Sequence, residues 1–107
     1  SLMTDIQNTS AKAKRLLSRY YGKRFKGLVL YGSVARRQHD PSSDIDFLVL
    51  LDGPFHYFRE LRAIIHVLYP LQLEIERLIS AKPVAWEDFE TGSLQLYRNA
   101  QKDGALV

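Results

Sequence analysis

The chain has 107 residues, of which 46% are hydrophobic and 25% charged, with a net charge of +3. That balance supports a packed core and excludes a disordered chain, and no apolar run approaches the ~20 residues a membrane span needs. With no cysteine, a disulfide framework and a thiolate metal site are excluded, and a reducing, cytoplasmic setting is expected.

The length predicts one domain over residues 1–107. Ser1-Leu2 ahead of Met3 reads as a cloning remnant, and Ser1 to Gln7 has no signal-peptide character. The charge is unevenly spread. Residues 1–37 hold nine Lys/Arg and one acid, whereas residues 38–107 hold six Lys/Arg and eleven acids. A basic first third suits an anionic ligand. A pI near 9.3, with no pattern of interleaved basic and aromatic residues, argues against nucleic acid.

In chain order, Thr4 to Tyr21 reads as a helix, with Thr4 and Gln7 as a capping box. Ile6, Ala13, Leu16, Leu17 and Tyr20 form its apolar stripe, and Gly22 ends it. Phe25 to Tyr31 is a short strand. Gly32-Ser33 turns into a helical segment, Val34 to Arg37, and His39 to Ser43 is a loop by its Asp-Pro-Ser-Ser chemistry. Asp44 to Leu51 is a second strand whose all-apolar tail implies burial on both faces.

His56 to Tyr69 reads as a second helix, with Phe58, Leu61, Ile65 and Leu68 on one face and Pro70 as its stop. Leu71 to Ile79 alternates apolar and polar residues, which predicts a half-exposed third strand. Ala81-Lys82-Pro83 reads as a turn and Trp86 to Phe89 as a short helical or extended piece. A last helix runs from Thr91 or Ser93 to Asp103, capped by Gly104. The expected fold class is α/β (α+β): a small mixed sheet of three or more strands with helices packed on one face. An exposed third-strand face and the aromatics Tyr20, Tyr21, Phe55 and Tyr57 leave room for a homo- or hetero-oligomer.

The chemistry concentrates between Gly32 and Asp46. Residues two apart on a strand share a face, so Asp44 and Asp46 project together while Ile45 points away. Two carboxylates held this close repel, and Mg²⁺ or Mn²⁺ is the usual compensation. Glu74, 28 positions beyond Asp46, lies on the predicted third strand together with Glu76. Either could supply a third carboxylate, and three such groups on adjacent strands hold two ions ~3.5–4 Å apart. Gly32 permits close backbone approach, and Ser33 opens a helical turn whose free N–H groups attract an anion such as a triphosphate. Arg36 or Arg37 adds a cation within a turn.

Other chemistries fail on spacing. A calcium loop begun at Asp40 places Ile45 where Gly is required and Leu51 where Glu is required. Gly-x-Ser-x-Gly and Gly-Lys-Ser/Thr are absent. His39, His56 and His66 lack zinc spacing.

The stretch GSVARRQHDPSSDID, from Gly32 to Asp46, resembles the signature of the DNA polymerase β-like nucleotidyltransferase superfamily: Gly-Ser, about ten residues, then Asp-x-Asp. Its branch resembles the minimal nucleotidyltransferases of bacteria and archaea, and LYRNAQKDGALV, from Leu96 to Val107, is similar to their C-terminal helix. The resemblance implies that Gly32 and Ser33 bind the triphosphate, that Arg36 lies by the phosphates and that Asp44 and Asp46 hold two Mg²⁺. Leu73-Glu74-Ile75 matches the family's apolar-Asp-apolar pattern with Glu for Asp, which would make Glu74 the third carboxylate and general base, with Glu76 as competitor.

The implied reaction is transfer of a nucleoside monophosphate, AMP from ATP, to a hydroxyl, with release of pyrophosphate. Many such proteins are similar to antitoxins that adenylylate a HEPN-type helical partner. A contact-only binding module, neutralising such a partner without chemistry, is the alternative.

Overall fold

Five consecutive side chains, Phe47 to Leu51, are fully buried because the strand that carries them is covered on both sides. The computed structural model describes residues 2–36, 40 and 42–107. Its elements are α1 (Leu2–Tyr21), β1 (Phe25–Tyr31), α2 (Gly32–Ala35), β2 (Ile45–Leu51), α3 (Tyr57–Gln72), β3 (Ile79–Ala85), α4 (Trp86–Thr91), α5 (Gln95–Asp103) and β4 (Ala105–Leu106). The strands form one mixed sheet in the order β3-β2-β1-β4. β1 is antiparallel to β2 and to β4, and β2 is parallel to β3. A mixed sheet with packed helices is the expected fold class, but the helices cover both faces rather than one, α1 and α3 on one side and α4 and α5 on the other.

Alternation along β2 divides the core. Ile45, Phe47, Val49 and Leu51 meet Ile6, Ala13 and Leu17 of α1 and Ile64, Leu68 and Leu71 of α3. Leu48 and Leu50 point the other way, into a smaller cluster with Val29, Val84 and Ala100 under Trp86, Phe89 and Tyr97 of α4 and α5. Each fully buried Leu or Phe stabilises the fold by roughly 1.5–3 kcal/mol relative to exposure, so β2 is the strand on which both layers depend.

The α1 stripe runs Ile6, Ser10, Ala13, Leu17, Tyr21, a three-and-four spacing. Tyr21 rather than Tyr20 closes it; Tyr20 is 58% exposed. The helix begins before Thr4, at Leu2, so the expected capping box does not set its start. Tyr21 Oη donates to Glu60 Oε1 of α3 at 3.0 Å, and Arg24 approaches Glu60 Oε2 at 3.4 Å. Burial, reinforced by the Glu60 carboxylate, raises the Tyr21 hydroxyl pKa and keeps it a donor.

Two sequence expectations are corrected at the end of α3. Pro70 does not stop the helix, which continues to Gln72. Proline forfeits one N–H bond to the carbonyl four residues earlier, and only two helical residues follow it. Leu71 to Ile79 is not a strand. Leu71 is buried while Leu73 is 70% exposed, so the apparent alternation does not mark one face. Leu71 completes the helical series Ile64, Leu68, Leu71. On that face Ile64 stands where Ile65 was expected, and Ile65 and Phe58 are exposed.

The true third strand, Ile79 to Ala85, lies beside β2 as an edge strand. Its Pro83 hides it from a propensity reading, yet Pro is tolerated on an edge. Ile45 N–H donates to the Leu78 carbonyl at 2.9 Å. With Ile45 opposite Ile79, the even-numbered residues of β3 turn their backbone polar groups toward β2. The Pro83 nitrogen therefore lies on the open side. Among the described residues, no helix is long and apolar enough to cross a membrane.

Candidate active site

β1 ends at Tyr31, which the antiparallel register sets opposite Asp46. The next residue, Gly32, has φ +78, and a Cβ there would overlap the Asp46 carboxylate. Glycine is required twice over, for the dihedral and for the space. The Gly-Ser turn therefore lies against Asp46. The following helix, α2, is a single turn, with Arg36 N–H donating to the Gly32 carbonyl at 3.2 Å. Four residues sum to only a small dipole, so the dipole by itself gives this turn little pull on an anion.

Asp44 is exposed just ahead of β2, and Asp46 is half-buried within it. Asp46 shares the sheet face of Leu48 and Leu50. Burial raises its carboxyl above the ordinary carboxylate range, and the Asp44 charge adds to the rise, while Lys82 and Arg36 oppose it. Burial, with help from Asp46, pushes the Tyr31 hydroxyl up to about 12, so it stays protonated.

The approach to Asp44 is fixed locally. Ser42 donates from its N–H and its hydroxyl to Asp40 Oδ1 at 2.9 and 2.7 Å, which holds the Asp40 carboxyl below its usual range. Arg77 donates to the carbonyls of Ser43 and Asp40 at 2.9 and 3.1 Å. A side chain from beyond α3 thus pins the segment that delivers Asp44, a role its sequence position did not signal. Arg36 is exposed, and its charge is felt at Asp46. Arg37, the alternative to it, lies outside the described residues.

The third carboxylate is corrected. Glu74 stands in the turn after α3, where Lys12 Nζ meets it at 3.3 Å across a solvent-exposed ion pair. Glu74 and Glu76 line a cleft with Asp5, Asn8 and Lys12 that β2 reaches only through Ile45, whose side chain points opposite to Asp46. The structure does not bring either glutamate to the Asp44–Asp46 pair. The physical reason is the longer α3 and later β3. The side chains beside Asp46 on β3 are Ser80, its register partner, and Lys82, the partner of Leu48. Neither was singled out in the sequence, because Ala81-Lys82-Pro83 reads as a turn.

A small pocket of about 160 Å³ adjoins Gly32 and Arg36, floored by Tyr31 and Ala100 and edged by Asn99 and Asp103 of α5. The sequence reading missed Tyr31, Asn99 and Asp103; the only signal for the last two was their place on the C-terminal helix.

The family model described as nucleotidyltransferase domain matches residues 11–94. The chain belongs to this family. The nucleotidyltransferase domain, of the polymerase β-like superfamily, thus takes in β1 to β3 and α1 from Ala11 onward, with the Gly-Ser turn and both aspartates; α5 and β4 lie beyond the matched span. No curated protein matches the chain.

A divalent cation fits part of this site. Asp44 and Asp46 are hard oxygen donors whose repulsion a cation relieves, and they suit one Mg²⁺ or Mn²⁺. Among the described residues, no group of three or more His, Asp or Glu side chains could hold a metal ion, so those residues do not by themselves supply the donor set for the expected pair of ions. Beside Asp46 on β3, this nucleotidyltransferase domain presents the Ser80 hydroxyl and the Lys82 ammonium.

Proposed function

We propose that this nucleotidyltransferase domain transfers a nucleoside monophosphate, AMP from ATP, to a hydroxyl on a partner protein and releases pyrophosphate. The observation that carries the reading is the close approach of Gly32 to the Asp46 carboxylate, which sets the Gly32-Ser33 turn beside an acid on β2. The triphosphate would lie against the Gly32-Ser33 turn, with the Ser33 hydroxyl and Arg36 as donors to its oxygens. Asp44 and Asp46 would hold a divalent ion, which neutralises phosphate charge and orients the α-phosphoryl group. The acceptor oxygen attacks the α-phosphorus as the bond to the pyrophosphate oxygen breaks.

In this reading no third carboxylate takes the acceptor's proton, so the proton leaves to water. A positioned base contributes about 10²–10⁴ in rate, and turnover is correspondingly slow. Exposed apolar side chains on α3 and just beyond it, Phe58, Ile65, Tyr69 and Leu73, support a protein acceptor. A HEPN-type helical protein is the class the resemblance suggests.

The test incubates the chain with each labelled nucleoside triphosphate, Mg²⁺ and a HEPN-type partner, and locates any nucleotide adduct by mass spectrometry. An AMP adduct on the partner is expected, lost by at least about 10³-fold in Asp44→Asn and Asp46→Asn variants that keep the wild-type circular dichroism spectrum. Full transfer by both variants would defeat the reading.

The contact-only module is favoured by one specific observation, Ser80 and Lys82 in place of a carboxylate on β3. It expects the double aspartate variant to neutralise the partner as well as the wild type does. Loss of neutralisation in that variant, with binding intact, would count against it.

A further inference from the structure

Lys82 stands on the face of β3 that Asp46 occupies on β2. The register pairs Phe47 with Ala81, Leu48 with Lys82 and Leu50 with Val84. Ala81 joins the larger core with Phe47, and Val84 joins the smaller one with Leu48 and Leu50. The intervening Lys82 therefore emerges on the smaller-core side, two register positions from the Asp46–Ser80 pair. Its side chain is exposed, and its charge acts on the Asp46 carboxylate. Neither of the two ion pairs found among the described residues engages it, so its ammonium is available to a ligand. Arg36 supplies a second positive charge to the same carboxylate from the opposite side, beyond Gly32.

Beside Asp46, β3 thus carries an ammonium and no carboxylate. We propose that Lys82 is a ligand of the bound nucleoside triphosphate and stands in for one of two metal ions, so that the nucleotide complex of this chain holds a single divalent ion. The inference rests on the nucleotidyl-transfer reading above. An ammonium donates up to three charge-assisted hydrogen bonds and suits phosphate oxygens as a compact point charge. The charge balance also follows: two carboxylates are offset by one divalent ion, and Lys82 and Arg36 face the phosphate chain.

The test uses the full chain and α,β-methylene ATP, which binds without transfer. Affinity is read by calorimetry at saturating Mg²⁺, and bound Mn²⁺ is counted by electron paramagnetic resonance in the nucleotide complex. Wild type should bind one Mn²⁺ per complex. Lys82→Ala should weaken nucleotide binding roughly tenfold, the scale of one charge-assisted hydrogen bond, and Lys82→Arg should restore most of it. Lys82→Asp should bind a second Mn²⁺. Because Lys82 is exposed, all three variants should keep the wild-type melting temperature, and a variant that melts early is replaced by Lys82→Gln in the same assay. Two Mn²⁺ in the wild-type complex, or Lys82→Ala binding within twofold of wild type, would overturn the proposal and leave the nucleotidyl-transfer reading standing. No nucleotide binding by wild type would overturn both.

Discussion

A Cβ at Gly32 would force either the turn or Asp46 to move, because φ +78 is costly for an L side chain and the space is already taken. Gly32→Ala should cost about 1–3 kcal/mol of stability and abolish nucleotide binding together, read by thermal melting and calorimetry. Asp46 behaves oppositely. Its carboxyl is raised in the folded state, so the fold binds that proton more tightly than the unfolded chain does. Its contribution to stability is therefore lost as pH rises from the ordinary carboxylate value through the raised one. Asp46→Asn should melt slightly higher than wild type at pH 7, by under about 1 kcal/mol because the group is only half-buried and screened. The two should converge below roughly pH 3.5. Mg²⁺ should raise the melting temperature of wild type and not of Asp46→Asn. A wild-type protein that is more stable than Asp46→Asn at pH 7 without metal would contradict this. These residues were legible from sequence because their chemistry is local: a glycine, a serine and two acids at fixed separation need no knowledge of the fold.

Elements whose identity depends on their neighbours were harder to read. Leu71 and Ile75 suggested a strand because alternation over a few residues cannot be told from the frayed end of an amphipathic helix. The strand that does lie beside β2 contains Ser80, Lys82 and Pro83, none favoured in strands, and is held by its ladder to β2 rather than by propensity. That displacement moved the expected third acid out of the site. Glu74→Gln should accordingly leave nucleotide affinity and transfer within twofold of wild type. It should lose only the exposed Lys12 pair, at most about 0.5 kcal/mol. A hundredfold loss of transfer in Glu74→Gln would return that residue to the chemistry. By contrast β1 and β2 were read almost to the residue, since an unbroken apolar run ended by Asp-Gly-Pro has few other readings.

At the scale of the whole molecule, both helical layers rest on one strand. Phe47 is fully buried between β2's neighbours and the α1–α3 layer, and Phe47→Ala should remove about 3–5 kcal/mol. A fold of this size commonly has about 5–15 kcal/mol in total, so the variant should show a much lower urea midpoint or fail to fold. A shift below about 1 kcal/mol would mean that the core sits elsewhere. The outer flank of the sheet carries a different consequence. At Pro83 the open row of amide donors on β3 is broken, and an incoming strand would meet a gap where it needs a bond. Stacking of copies edge to edge into growing fibrils is thereby disfavoured, and whatever grips that rim must do so with side chains rather than by lengthening the sheet.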